Sequence, residues 1–216
     1  MHQFFQHADA LLRGEDRASS WLLSVRTSVV FGLLYGAAMG CFNGLGSERW
    51  AQIFFSASKV PLLLIVSFGF ALPPFFVMNT LLGVREDFGL VLRAILETQA
   101  GVAIILASLA PFTLGFYLSD SNYEGAVLCN FFMFALASFS AQIILRRSYH
   151  SLITRRPIHR RLMWAWLACY GFVGVQMGWV LRPFIGAPNE PTRFFREGVW
   201  GNVYEVLFAM IWKIIS

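Results

Sequence analysis

An all-α, polytopic membrane bundle is the fold class this sequence predicts, and three observations predict it. Of the 216 residues, 57% are hydrophobic and only 13% charged, whereas soluble domains carry roughly a quarter charged residues. The apolar residues gather into blocks long enough for the roughly 20-residue helix that crosses a hydrocarbon layer. Charges fall between those blocks. The prediction is a single membrane domain of six spans, at about 21–42, 60–82, 94–118, 126–145, 162–181 and 200–215, with a cytoplasmic N-terminus.

Residues 1–20 put Phe4, Phe5, Ala8, Leu11 and Leu12 at helical spacing opposite Asp9, Arg13 and Asp16, the pattern of an interfacial helix lying on the bilayer. No signal peptide is read here, because a continuous apolar core is missing. The first span carries small residues at every fourth position: Ser24, Ser28, Gly32, Gly36 and Gly40, then Gly44. Neighbours four apart share one side of a helix, so this ladder is a strip where another backbone can come close. Packing inside the bundle is one use of Ser28, Gly32, Gly36 and Gly40; the seam of a homo-oligomer is the other.

After a loop and short interface helix in Asn43–Lys59, the second span contains Pro73-Pro74, where two amide donors are absent and a kink or local break is expected. Gly83–Arg93 (GVREDFGLVLR) reads as a short amphipathic connector. Ser119–Gly125 is a polar turn between the third and fourth spans. The segment Arg146–Arg161, RRSYHSLITRRPIHRR, has six arginines and no acid, and reads as a cytoplasmic loop. Orienting the chain on it places 11 basic residues inside and 5 outside. Trp164, Trp166 and Trp179 fall at the two edges of span five, as interfacial aromatics do. The last block holds Asn202, Glu205 and Lys213, and reads as a sixth span or, alternatively, an interfacial helix.

Polar residues within spans are costly unless paired, so they point to function. An inner layer comprises Arg26, Asn79, Glu97, Gln99 and Gln142, in which Arg26 is expected to approach Glu97. The alternative is that Arg26 snorkels to the headgroups while Glu97 pairs with Arg93 one turn away. An outer layer comprises Asn130, Gln176, Arg182, Asn202 and Glu205, with Glu205 opposite Arg182. Next to it, Trp179–Glu205 holds Pro183, Pro188 and Pro191, which stiffen it, and Phe184, Phe194, Phe195 and Trp200, which give it an apolar face. With Arg193 and Arg196 it reads as a cap folding back over the bundle, either a packed lid or a ligand or partner site.

Arg146, Arg147, Arg155, Arg156, Arg160 and Arg161 suit anionic lipid headgroups, an acidic partner being the alternative. Nucleic acid is not expected, since nothing folded accompanies the loop to read bases. Phosphate-loop, HExxH, GxSxG and GxGxxG motifs are absent from the sequence, and no catalytic residue is proposed. No metal or cofactor is expected: His2, His7, His150 and His159 lie outside the predicted spans, and Cys41, Cys129 and Cys169 have no CxxC spacing.

Residues 59–118, KVPLLLIVSFGFALPPFFVMNTLLG followed by an amphipathic linker and RAILETQAGVAIILASLAPF, resemble the central part of the YIP (Ypt-interacting protein) domain family. The shared pattern is a proline-led span, an LLG-like corner and a short interface helix leading into the next span. The stretch Trp179–Glu205 is similar to a segment of bacterial membrane proteins grouped loosely with that family. The resemblance implies a multi-span interaction scaffold. Six spans with an amphipathic connector after the second also resemble a type-2 ABC exporter permease, where Gly83–Arg93 would touch an ATPase; the long basic loop departs from that pattern. The expectation is an inner-membrane scaffold or assembly subunit, with partners at the glycine ladder, the connector and the basic loop. A transporter with a polar path through the bundle is the alternative.

Overall fold

The structure, a computed structural model, describes residues 2–13, 21–42, 50–119, 122–187, 191–195 and 202–205. Its helices are α1 (His2–Arg13), α2 (Trp21–Gly40), α3 (Trp50–Leu81), α4 (Phe88–Ser119), α5 (Tyr123–Arg155) and α6 (Ile158–Val180). No strand occurs among the described residues. The helices α2, α3, α4 and α5 are each long and apolar enough to cross a membrane, which makes this an integral membrane protein by length and composition. The 23-residue α6 opens with Arg160 and Arg161 and does not reach that threshold. Most of the last expected span, beyond residue 205, lies outside the described residues.

Three elements differ from the expected boundaries. The interface helix and second span are one helix, α3, whose 32 residues include Pro61, Pro73 and Pro74. At about 1.5 Å per residue it is longer than a hydrocarbon layer of roughly 30 Å, so its first turns extend the span instead of forming a separate element. The amphipathic connector Gly83–Arg93 is a corner followed by the first turns of α4, with no element of its own beyond one 3₁₀ turn. Gly83 takes φ 71°, a left-handed conformation that ends helices and suits glycine. Gly83 N–H donates to Thr80 O and Val84 N–H to Asn79 O. One 3₁₀ turn, Arg85–Asp87, then leads into α4.

The basic segment is likewise not a loop. Its arginines belong to the end of α5 and the first turn of α6, around a corner at Arg156 and Pro157. Arg156 is extended at φ −142°, as the residue before a proline prefers, and Pro157 cannot continue α5 because it has no N–H. At the other end of α5, Asn122 caps the helix by accepting from the Glu124 N–H at 3.1 Å.

Side-chain packing places the helices. α2 lies against both α3 and α4, α4 against α5, and α3 against α6, while α5 and α6 make little contact. The glycine ladder is the α2–α3 seam. A Cβ added at Gly32 would sit 3.3 Å from Pro61 N and one at Gly40 2.5 Å from Ile53 Cα, and one at Gly36 would run into the backbone of Ser56 and Ala57. The strip is therefore filled by α3 of the same chain. Helix α1 lays Ala8 and Leu11 on Ala100, Ile104 and Ile144, so these two apolar residues face the bundle instead of lipid. The corner end holds the largest core, built on Phe75, Val91, Ile95, Leu145, Tyr149 and Trp166.

Candidate functional site: a chamber between α5 and α6

Two helices joined by a two-residue corner but barely touching leave a gap, and the gap is a cavity of about 700 Å³. Its walls come from α3, α4, α5 and α6, from Met39 of α2 and from residues 182–185. One wall is smooth. Gly171, Gly174 and Gly178 of α6 line it, and a Cβ added at any of them would meet nothing within 4 Å. The facing wall is bulky, with Val127, Phe131 and Phe134 of α5. Val127, Phe131, Gly171 and Val175 line the chamber and are exposed. Among the described residues, the open part of the chamber is therefore bordered by α5 and α6.

Polar groups sit at two levels. Measured at about 1.5 Å per residue from the helix ends at the corner side, Ser67 of α3 lies about 21 Å in, Gln99 of α4 about 17 Å, Gln142 of α5 about 20 Å and Tyr170 of α6 about 18 Å. All four line the chamber. Gln142 Nε2 donates to Ser138 O at 3.2 Å, and the Gln99 amide faces the Tyr170 hydroxyl. Three buried atoms at this level, Ser67 Oγ, Gln99 Nε2 and Gln142 Oε1, have no hydrogen-bond partner among the described residues.

The second level is at the far end. Asn130 Oδ1 accepts from Tyr35 OH at 3.0 Å, and its Nδ2 donates to Ala126 O at 2.8 Å and to Tyr117 OH. Asn130 thereby ties α2, α4 and α5 together beside the chamber. Arg182 lies 3.2 Å over the Trp179 ring, at the rim with Pro183 and Phe184.

The segment after α6 is strapped to α3. Lys59 Nζ donates to Pro183 O and Ser56 Oγ to Phe184 O, and Gln52 Nε2 donates to Ser56 Oγ at 2.9 Å. Phe194 packs edge-on against Phe55 at 5.3 Å and under the Lys59 ammonium at 4.9 Å. Lys59 itself is wholly buried. Farther on, Gln176 Oε1 accepts from Val203 N–H at 3.1 Å, and Tyr204 stacks on Phe172 at 4.4 Å. Arg193 is exposed, and Arg196 lies outside the described residues.

Of the two readings for Glu97, the local pair with Arg93 forms and the approach of Arg26 does not. Glu97 accepts from Arg93 at 3.0 Å and from Ser148 Oγ at 3.3 Å, while Arg26 is exposed on α2. Asn79 bonds Phe75 O at 2.8 Å, away from the chamber. Glu205 accepts from Asn202 at 3.5 Å, and no Arg182–Glu205 ion pair occurs among the described residues. Only Gln99 and Gln142 of the inner layer, and Asn130 and Arg182 of the outer, line the chamber. Ser67, Tyr170 and the α6 glycines were not singled out. Their signal was present in GFVGVQMG, small residues at spacings of three and four, and in a lone hydroxyl at mid-span.

The two expected cytoplasmic contact regions dock on each other. Arg156 lies 3.9 Å from Glu86 and 3.8 Å from Asp87 and donates to Gly83 O at 3.2 Å, and buried His159 Nε2 is 3.0 Å from Asp87. Arg146, Arg147, Arg155, Arg160 and Arg161 remain exposed.

Fold and chamber together define the class: an all-helical integral membrane protein with a cavity bordered by α5 and α6. No family model, no curated protein and no solved structure matches this chain. Among the described residues, no group of three or more His, Cys, Asp or Glu side chains is placed to hold a metal ion.

Proposed function

We propose that this protein is a membrane transport protein whose substrate path is the α5–α6 chamber. The observation that carries the reading is a cavity of about 700 Å³, within the roughly 300–1,000 Å³ typical of small-molecule sites, with polar groups at two depths and an apolar stretch between. Polar groups inside a membrane are costly unless paired, so unpaired ones facing a cavity support a substrate path. The scarce contact between α5 and α6 supplies a hinge-like pair that can open or close about the corner at Arg156 and Pro157.

Labelling from both sides of the membrane tests this. Ser138→Cys is made after replacing Cys41, Cys129 and Cys169 with Ser, and exposed to a membrane-impermeant maleimide in right-side-out and inverted vesicles. A carrier gives labelling from both faces, slowed by Gly174→Trp. Labelling confined to one face, and unchanged by Gly174→Trp, would mean that the chamber does not give access to both sides, and transport would be abandoned.

A second reading, the scaffold, is favoured by the five exposed arginines around the α5–α6 corner and by the YIP-like pattern in 59–118. Its other expected surfaces are engaged within the chain: the ladder meets α3, and Glu86 and Asp87 of the connector meet Arg156.

A further inference from the structure

Resting on the chamber as the working site, we propose that its ligand is an uncharged single-chain lipid whose head both donates and accepts hydrogen bonds, as a primary amide or hydroxylated head does. The head sits at the level of Gln99 and Gln142 and the chain runs along the glycine wall of α6.

The orphaned atoms specify the head. Gln99 is 6% exposed and Ser67 1%, so neither reaches solvent, and Gln99 Nε2, which lies near the Tyr170 hydroxyl, makes no hydrogen bond of normal geometry among the described residues, nor do Gln142 Oε1 and Ser67 Oγ. Nε2 can only donate and Oε1 can only accept. A complementary head must therefore supply an acceptor and a donor together. A plain carbonyl compound satisfies one and an alkane neither. Leaving such groups unmade is costly, and a bundle in lipid has no bulk water to relieve them.

Charge is selected against at the same level. Among the described residues, Arg182 is the only ionisable side chain of Asp, Glu, Lys or Arg type lining the chamber. It lies beyond the end of α6, whose last residue Val180 is about 15 Å from Tyr170 at the helical rise of about 1.5 Å per residue. An ionised head beside Gln99 would be desolvated without a counter-charge, which is expensive.

The chain follows from the walls. Val127, Phe131 and Val175, which line the chamber, are apolar and exposed among the described residues, so the entrance suits an occupant that arrives from the lipid phase. Gly171, Gly174 and Gly178 leave unfilled space along one wall, a groove about two turns long where an extended chain can lie without displacing side chains.

The test is native mass spectrometry of the full chain in non-ionic detergent with hexadecanamide, hexadecanoate at pH 8, or hexadecane, using wild type, Gln99→Leu, Gln142→Leu and Gly174→Trp. The expected result is retention of hexadecanamide roughly tenfold above the other two probes. Either glutamine variant should lose that advantage with its melting temperature kept, and Gly174→Trp should lose all retention. Equal retention of the three probes, blocked by Gly174→Trp, would overturn the head-group assignment and leave the chamber reading intact. No retention by wild type, or retention indifferent to Gly174→Trp, would overturn both. The band would then be met by trapped water, or the groove by a helix of a second copy.

Discussion

Gly36 shows how one missing Cβ sets a helix pair. In lipid, helices gain nothing from hiding apolar surface from water, so close backbone approach and dispersion carry the association. Ala57 Cα would lie 2.7 Å from a Cβ added at Gly36, and that atom is backbone, unable to rotate aside. Gly36→Ala should therefore cost about 1–3 kcal/mol as overpacking, read as a lower melting temperature in detergent. Gly115, where an added Cβ meets nothing within 4 Å, is the control. Gly115→Ala should be neutral or stabilising by up to about 1 kcal/mol, since alanine is the better helix former. Equal effects at both sites would mean that α3 does not lie on the ladder. Polarity obeys a similar local logic. Lys59 is buried, and its ammonium is used by a backbone carbonyl and a ring instead of a carboxylate, which turns a charge into a strap.

Asp87 makes the corners act as one unit. It faces both Arg156 and the fully buried His159, whereas Glu86 meets Arg156 only at 3.9 Å from a side chain 88% exposed. A buried polar group that loses its partner costs about 1–3 kcal/mol, while an exposed ion pair contributes about 0–1 kcal/mol. Asp87→Ala should thus lower the melting temperature clearly and loosen the α3–α4 corner from α6. Glu86→Ala should barely register. If the two variants melt alike, the clasp does not hold the corners together. Because α5 and α6 otherwise touch little, this clasp is also where their splay is anchored. A change in the width of the chamber mouth would pivot there.

Orientation across the membrane belongs to the whole chain. The positive-inside tendency counts arginines near span ends, whether they lie on a loop or, as in this fold, on the ends of α5 and α6. A reporter inserted at the α5–α6 corner is expected to read as cytoplasmic, and one between α4 and α5 as external; the reverse pattern would sink the proposed orientation. Replacing Arg146, Arg147, Arg155, Arg160 and Arg161 with Ser should give mixed orientation. In a protein that keeps its orientation, loss of a co-purifying soluble partner would favour the scaffold reading, and unchanged recovery would leave the transport reading in place.

Helical class, membrane character and the broad positions of the apolar blocks were determined by the sequence alone, because length and hydropathy are local quantities that any bilayer reads the same way. Element ends were less legible. Nothing local distinguishes Arg146–Arg155 as a polar loop from the same residues as a helix projecting past the hydrocarbon, since exposed arginines favour helix once a span has nucleated it. Partner choice was legible only where it is local. Glu97 had Arg93 within one turn, and that local pairing prevailed over Arg26 because the angular placement of α2 against α4 turns Arg26 outward. Gln99, Gln142 and Asn130 were visible as costly residues, but whether they faced each other, lipid or a void depended on α5 and α6 splaying apart. That splay is a property of packing among α3, α4, α5 and α6, so only the tertiary structure could decide that there is a chamber.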